Sequence, residues 1–191
     1  MCIPELTGEV VLEGAFDAEV HARVLELYEA DQADREVWEA NEAKGEGYEN
    51  DSSAWSEIER RDRERATEVL GYLEQGLISE AEAFYGAAMV FQHGSCVAHI
   101  ELANRLAERA VQLGSQEAKW LYAASLDRYL TRTGEKQLYG TQFISEDGGC
   151  TYELMPFDKS VTDEERAHYD VPPIAEAIAR AEALGGNCDS E

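Results

Sequence analysis

The sequence predicts a mainly α-helical protein, either a helical bundle or a set of repeat-like helical hairpins, with a small β-hairpin attached. Three observations carry that expectation. From Phe84 to Phe143 small and apolar residues recur at helical spacing. Glycines at 94, 114 and 134 close these segments, as Gly76 closes the helix before them, where a helix most often stops. After Gly134 the period shortens to two, as in strands.

Taken in order, residues 1–16 are too short to assign firmly, and Glu9 to Glu13 reads as a short strand or an ordered arm. Asp17 is placed to cap a long helix to about Ala43, with Val20, Val24, Leu27, Tyr28 and Val37 on its apolar stripe. A loop follows from Lys44 to Ser53. Ser53 is then expected to cap a second helix from Ala54 to Gln75, whose apolar positions are Trp55, Ile58, Val69, Leu70 and Leu73. Ser79-Glu80-Ala81-Glu82 has the form of a capping box, opening a helix that ends at Gln92-His93-Gly94. Ser95 reopens a helix to Leu113, and Ser115 opens another to Thr133. Alanines such as Ala103, Ala107 and Ala123 allow these helices a close approach. Their Ala-rich knobs and Leu-Gly turn resemble tetratricopeptide-type helical hairpins.

Residues 137–145 and 150–157 alternate like strands around the turn Glu146-Asp147-Gly148-Gly149. Thr162 to Glu165 forms a second capping box. Pro172-Pro173 then opens a last helix ending at Gly185-Gly186. The whole reads as one domain with an arm (1–16), a helical core (17–134), the hairpin (137–157) and C-terminal helices (162–185).

Charge narrows the partners. The 191 residues carry 40 acids against 16 bases, a formal net charge of −24, whereas a binder of phosphate backbones needs clustered Lys and Arg. The densest basic run, Arg60, Arg61, Arg63 and Arg65, is interleaved with acids and reads as a solvated helix face. Nucleic acid and anionic membranes are therefore not expected partners. The N-terminus lacks a signal-peptide pattern and no apolar run is long enough to span a bilayer. Cys2, Cys96, Cys150 and Cys188 lie far apart, without a C-x-x-C pair, and read as free thiols of a cytoplasmic protein. No metal or cofactor is expected, since no carboxylate-rich loop, zinc spacing or phosphate-binding glycine loop is found.

What remains is a set of polar residues inside apolar helical context, which must be paired or destabilise the fold. They are Asp31, Gln32 and Arg35; Gln92 and His93; Asp127 and Arg128; and Tyr139, Thr141 and Gln142. In this order they resemble a family of mostly bacterial domains of unknown function. Its members share Asp-Gln-x-x-Arg, Tyr-x-x-Ala-x-x-x-x-Gln-His (here Tyr85 to His93), Asp-Arg, and Tyr/Phe-Gly-Thr-Gln. The resemblance runs from about Leu25 to Pro173. It implies that the motifs belong together and no established activity.

If the segments converge, His93 is the candidate proton carrier, oriented by Asp31 or Asp127. Arg35 and Arg128 would hold an anionic or carbonyl oxygen, while Gln32, Gln92, Tyr139, Thr141 and Gln142 position the ligand. That describes a pocket protein, a small hydrolase-like acid/base enzyme acting on a polar metabolite or peptide group. The alternative is a helical protein–protein interaction module in which the same groups form a structural network. His99 and His168 read as surface residues. Cys96, near a helix start, is a remote candidate nucleophile.

Overall fold

The computed structural model describes residues 2–42, 52–94, 96–147 and 149–184. It is mainly α-helical with a small antiparallel hairpin. The chain divides into two compact units, residues 1–115 and 116–191.

The first unit contains α1 (Ala18–Glu42), α2 (Ser52–Glu74), α3 (Ala81–Gln92) and α4 (Val97–Gln112). α3 is the centre of this unit, packing against α4, α1 and α2. Its composition explains why. Ala83, Phe84, Gly86, Ala87, Ala88, Val90 and Phe91 are all buried, so small residues admit neighbouring helices on several sides. α1 contributes Val20, Val24 and Leu27 to the core, and α2 contributes Ile58, Val69, Leu70 and Leu73. Val37, expected on the α1 stripe, is instead 63% exposed.

Asp17 caps α1 as its chemistry suggests, its Oδ1 accepting from the amides of Glu19 and Val20, each at 3.0 Å. The capping box expected at Ser79 does not form. Glu80 is the N-cap of α3 without a side-chain cap bond, and the Ser79 hydroxyl donates to the Glu80 carboxylate instead. α4 starts one residue later than expected, with Cys96 at the N-cap. Ser95, Gly148 and the Gly185-Gly186 stop lie outside the described residues, as does the side chain of Ser53. The N-terminal segment is an ordered arm rather than a strand. The Val11 and Ala15 amides donate to the Leu73 and Gly76 carbonyls (3.1 and 2.9 Å), and Arg109 donates to the Leu12 carbonyl at 2.9 Å.

In the second unit α5 (Ala118–Arg132) is followed by β1 (Phe143–Ile144) and β2 (Glu153–Leu154), then α6 (Asp163–His168) and α7 (Ile174–Leu184). The strands pair antiparallel, Phe143 with Leu154 and Ile144 with Glu153, and α7 packs against β2. The hairpin is shorter than the alternating pattern suggested: beyond the two-residue strands, Gln137 forms only an isolated bridge to Phe157 and the Gln142 carbonyl accepts from the Met155 amide at 3.1 Å, while side chains hold the turn between them. Gly140 takes φ +84°, and a Cβ there would stand 2.7 Å from Ile174 Cδ1, so only glycine fits this turn. The expected capping box at Thr162 and Glu165 is complete.

Candidate functional site

The motif residues fall into two sets, one in each unit. In the first unit the buried face of α1 carries Asp31, wholly inaccessible, and one turn further on Arg35. His93 sits at the C-cap of α3, where the chain leaves the helix and turns the imidazole back toward α1. His93 Nδ1 lies 2.9 Å from Asp31 Oδ2, and Gln32 Nε2 donates to that same oxygen at 2.8 Å. Of the two carboxylates considered as partners for His93, Asp31 is the one that takes it. Its side chain is 1% exposed while that of His93 is 24% exposed, so the acid is sealed and the base reaches the surface.

Around Asp31 lies an ion network that joins α1 to α2. Arg35 Nη2 donates to Asp62 Oδ2 at 2.6 Å and more distantly to Asp31 Oδ1 at 3.5 Å. Arg65 reaches Asp62 at 2.7 Å, Asp34 at 2.8 Å and Asp31 at 3.8 Å. Arg61 grips both oxygens of Asp34, at 2.9 and 3.0 Å. Burial works to raise the Asp34 pKa, but the Arg61 and Arg65 hydrogen bonds outweigh it and hold the carboxyl below its ordinary value. Burial likewise works against the charged Arg65 guanidinium. Its bonds to Asp62 and Asp34 prevail, leaving its pKa raised.

The reading of Arg60 to Arg65 as a solvated face is therefore corrected. Arg60 and Arg63 pair with Glu57, Glu64 and Glu59 on the exposed side, whereas Arg61 and Arg65 turn inward to α1. A signal was present in the sequence: Asp31 and Asp34 on one helix face opposite-charged Arg61 and Arg65 on the next, each pair at one-turn spacing. Gln92, also singled out, is buried on α3 beside His93.

In the second unit Asp127 points into the protein and is fully buried, while the adjacent Arg128 is half-buried on a different face of α5. Asp127 Oδ1 accepts from the Leu138 and Tyr139 amides (2.7 and 2.9 Å), and Oδ2 from the Thr141 amide and hydroxyl (3.0 and 2.9 Å). The carboxylate is thus engaged in holding the Leu138–Thr141 turn. Arg166, 2% exposed, grips the other side of that turn, donating to the Tyr139 carbonyl at 3.1 Å and the Val161 carbonyl at 2.6 Å.

Gln142 accepts from Arg128 Nε at 3.3 Å and donates to the Ala124 carbonyl at 3.2 Å. Buried Gln137 closes the arrangement, donating to the Gln142 and Met155 carbonyls (3.0 and 2.8 Å) while accepting from the Gln142 amide at 2.8 Å. Burial, then the charge of Arg132, lowers the Arg128 pKa from its ordinary value. Tyr139 stacks edge-on against Tyr169, and burial followed by that neighbour raises its phenol pKa. Sequence reasoning missed Arg166 and Gln137, since neither sits in a recognisable local pattern.

Two further expectations fail here. Cys2 and Cys96 are joined in a disulfide across 94 residues, and Cys150 carries no free thiol either. A nucleophilic Cys96 thiol is absent in this state. His99 is fully buried rather than on the surface, its Nε2 2.7 Å from the Pro4 carbonyl. His168 is exposed, as expected.

Comparison with family models, with curated proteins and with solved structures finds no match for this chain.

Proposed function

We propose that the first unit carries an oriented Asp31–His93 acid/base pair, and that the protein is a small hydrolase-like enzyme acting on a polar metabolite or peptide group. The observation that supports this is the 2.9 Å contact between a sealed carboxylate and a partly exposed imidazole. An ionised Asp31 accepts from Nδ1–H, which places the proton there and leaves the Nε2 lone pair to take a proton from water or from a substrate hydroxyl. Gln32 and Arg35 fix the carboxylate from its other directions, so the ring is oriented before any ligand arrives. Arg35 Nη2 is already committed to Asp62 at 2.6 Å, which suits a role in holding the pair rather than in clamping a ligand.

The resemblance to the family with the same ordered motifs is kept as part of this proposal; a cytoplasmic setting is kept with it for the reduced chain, since the free thiols expected there are bonded in this structure. Nucleic acid is not among the partners we propose, because of the −24 charge. No helix among the described residues is long and apolar enough to cross a membrane.

The competing reading is a helical protein–protein interaction module. It draws support from the ion pairs that link Asp31, Arg35, Asp62 and Arg65 across two helices. His93→Ala separates the two. As an enzyme, the variant keeps a melting temperature close to the parent and loses turnover in a panel of chromogenic ester, amide and phosphoester substrates. A variant that unfolds, or that turns over the panel as the parent does, rejects His93 as the proton carrier.

A further inference from the structure

Behind the Asp31–His93 pair, the start of α4 meets the N-terminal arm at a cluster that neither the enzyme reading nor the ion network uses. Cys2, Cys96 and His99 each offer one donor atom, and these atoms lie within 4.8 Å of one another. His99 is completely buried and rests edge-on against Phe91, with ring centroids 5.4 Å apart. Its Nε2 is committed to the Pro4 carbonyl at 2.7 Å, which makes Nε2 the protonated nitrogen. Nδ1 is therefore an acceptor with an open lone pair, and it is buried without a hydrogen-bond partner. An unsatisfied buried acceptor is costly and uncommon. Gly94 lies directly against the ring, and a Cβ there would stand 2.4 Å from His99 Cβ and 2.6 Å from Nδ1, so the absence of a side chain at 94 is what admits the imidazole in this position.

We propose that, with its disulfide reduced, this cluster is a binding site for a thiophilic divalent cation of the zinc class, ligated by Cys2 Sγ, Cys96 Sγ and His99 Nδ1. The donor set is chemically apt. Two thiolates and one imidazole suit zinc, and the second imidazole nitrogen donating to a backbone carbonyl is the outer-shell arrangement that orients metal-bound histidines. Zinc–sulfur bonds of about 2.3 Å and zinc–nitrogen bonds of about 2.0 Å place tetrahedral ligands roughly 3.5 Å apart, within the spread of these atoms. Three protein donors leave a fourth position for water or an outside ligand. The expectation of no zinc spacing is corrected here: Cys96-x-x-His99 sets the N-cap and first turn of α4 side by side. The site's third member arrives from residue 2 and has no local signature.

The site is alternative to the disulfide. Exchange with a dithiol passes two electrons and two protons to the sulfurs, breaking the Cys2–Cys96 bond and releasing the dithiol as its cyclic disulfide. The cation then displaces two thiol protons as it binds. Thiol redox state thus determines whether the arm is held to α4 covalently or through a metal.

The test is a titration of the full chain with Co2+, after reduction by a dithiol and desalting without oxygen. One equivalent per chain is expected, with tetrahedral visible bands, a thiolate-to-cobalt charge-transfer band, and displacement of both by Zn2+. Cys2→Ser should remove these signals and Cys150→Ser should leave them intact. His99→Ala should weaken binding about tenfold or more, and if that chain does not fold, the Cys2→Ser result stands alone. Three results overturn the proposal: a Cys2–Cys96 bond that resists the dithiol in the folded protein, no stoichiometric uptake by the reduced chain, or uptake that Cys2→Ser does not alter.

Discussion

The two acids that the sequence could not rank against each other differ sharply in what surrounds them. Asp31 faces an imidazole with a route to solvent, while Asp127 is enclosed by the amides of a turn it holds in place. Substitution should separate them. Asp127→Ala leaves the Leu138, Tyr139 and Thr141 amides without their acceptor in a buried setting, and strands the Thr141 hydroxyl with them. A loss of about 3–5 kcal/mol is expected, by analogy with breaking a buried charged network, and urea denaturation would measure it. Asp31→Asn should cost less, about 1–3 kcal/mol, because Arg35 and Arg65 both retain Asp62. The His93 ring, followed by NMR, should lose its fixed orientation in that variant. An unchanged ring environment would show that Asp31 does not hold it.

At the scale of elements, α1 and α2 are joined by charge as much as by packing, and that makes their association sensitive to pH. The Asp34 carboxyl has a depressed pKa in the folded protein, so its contribution is fully present above the unfolded value of about 3.9 and is lost as pH falls through the folded value. Asp34→Asn should therefore destabilise the protein at neutral pH and matter progressively less as the solution is acidified into that range. Paired denaturation curves at neutral and strongly acid pH would check this, and a gap that persists in acid would argue against it. The start of α6 offers a simpler case. Thr162→Ala removes the hydroxyl that accepts from the Glu165 amide and should cost about 1 kcal/mol, visible as a lower urea midpoint.

For the whole molecule the dominant fact is the excess of acids. At −24 the folded chain repels itself, so moderate salt should raise its melting temperature by screening that repulsion, until the α1–α2 ion pairs are themselves weakened. The same charge predicts firm retention on an anion exchanger and little on heparin. Micromolar binding to duplex DNA would contradict it, since few clustered bases means few counterions released.

Helices were legible in the sequence because each is set by features a few residues apart: the apolar repeat of α3, the Asp17 cap, the Thr162 capping box, the glycines after α4 and α5. Polar residues in apolar context could likewise be recognised as needing partners. Which partner each took was not legible. His93 lies 62 residues from Asp31, Arg65 lies 34 from Asp31, and Cys2 lies 94 from Cys96. Nothing local distinguishes the buried Arg166 from the solvated Arg60, and the one-turn spacing of Arg61 and Arg65 gains meaning only beside Asp31 and Asp34, because desolvation is repaid only by acids and carbonyls delivered from other segments. Chain-local chemistry decided where helices begin and end; the energetic requirement to satisfy buried charge, met only once those helices pack, decided which residues form a site.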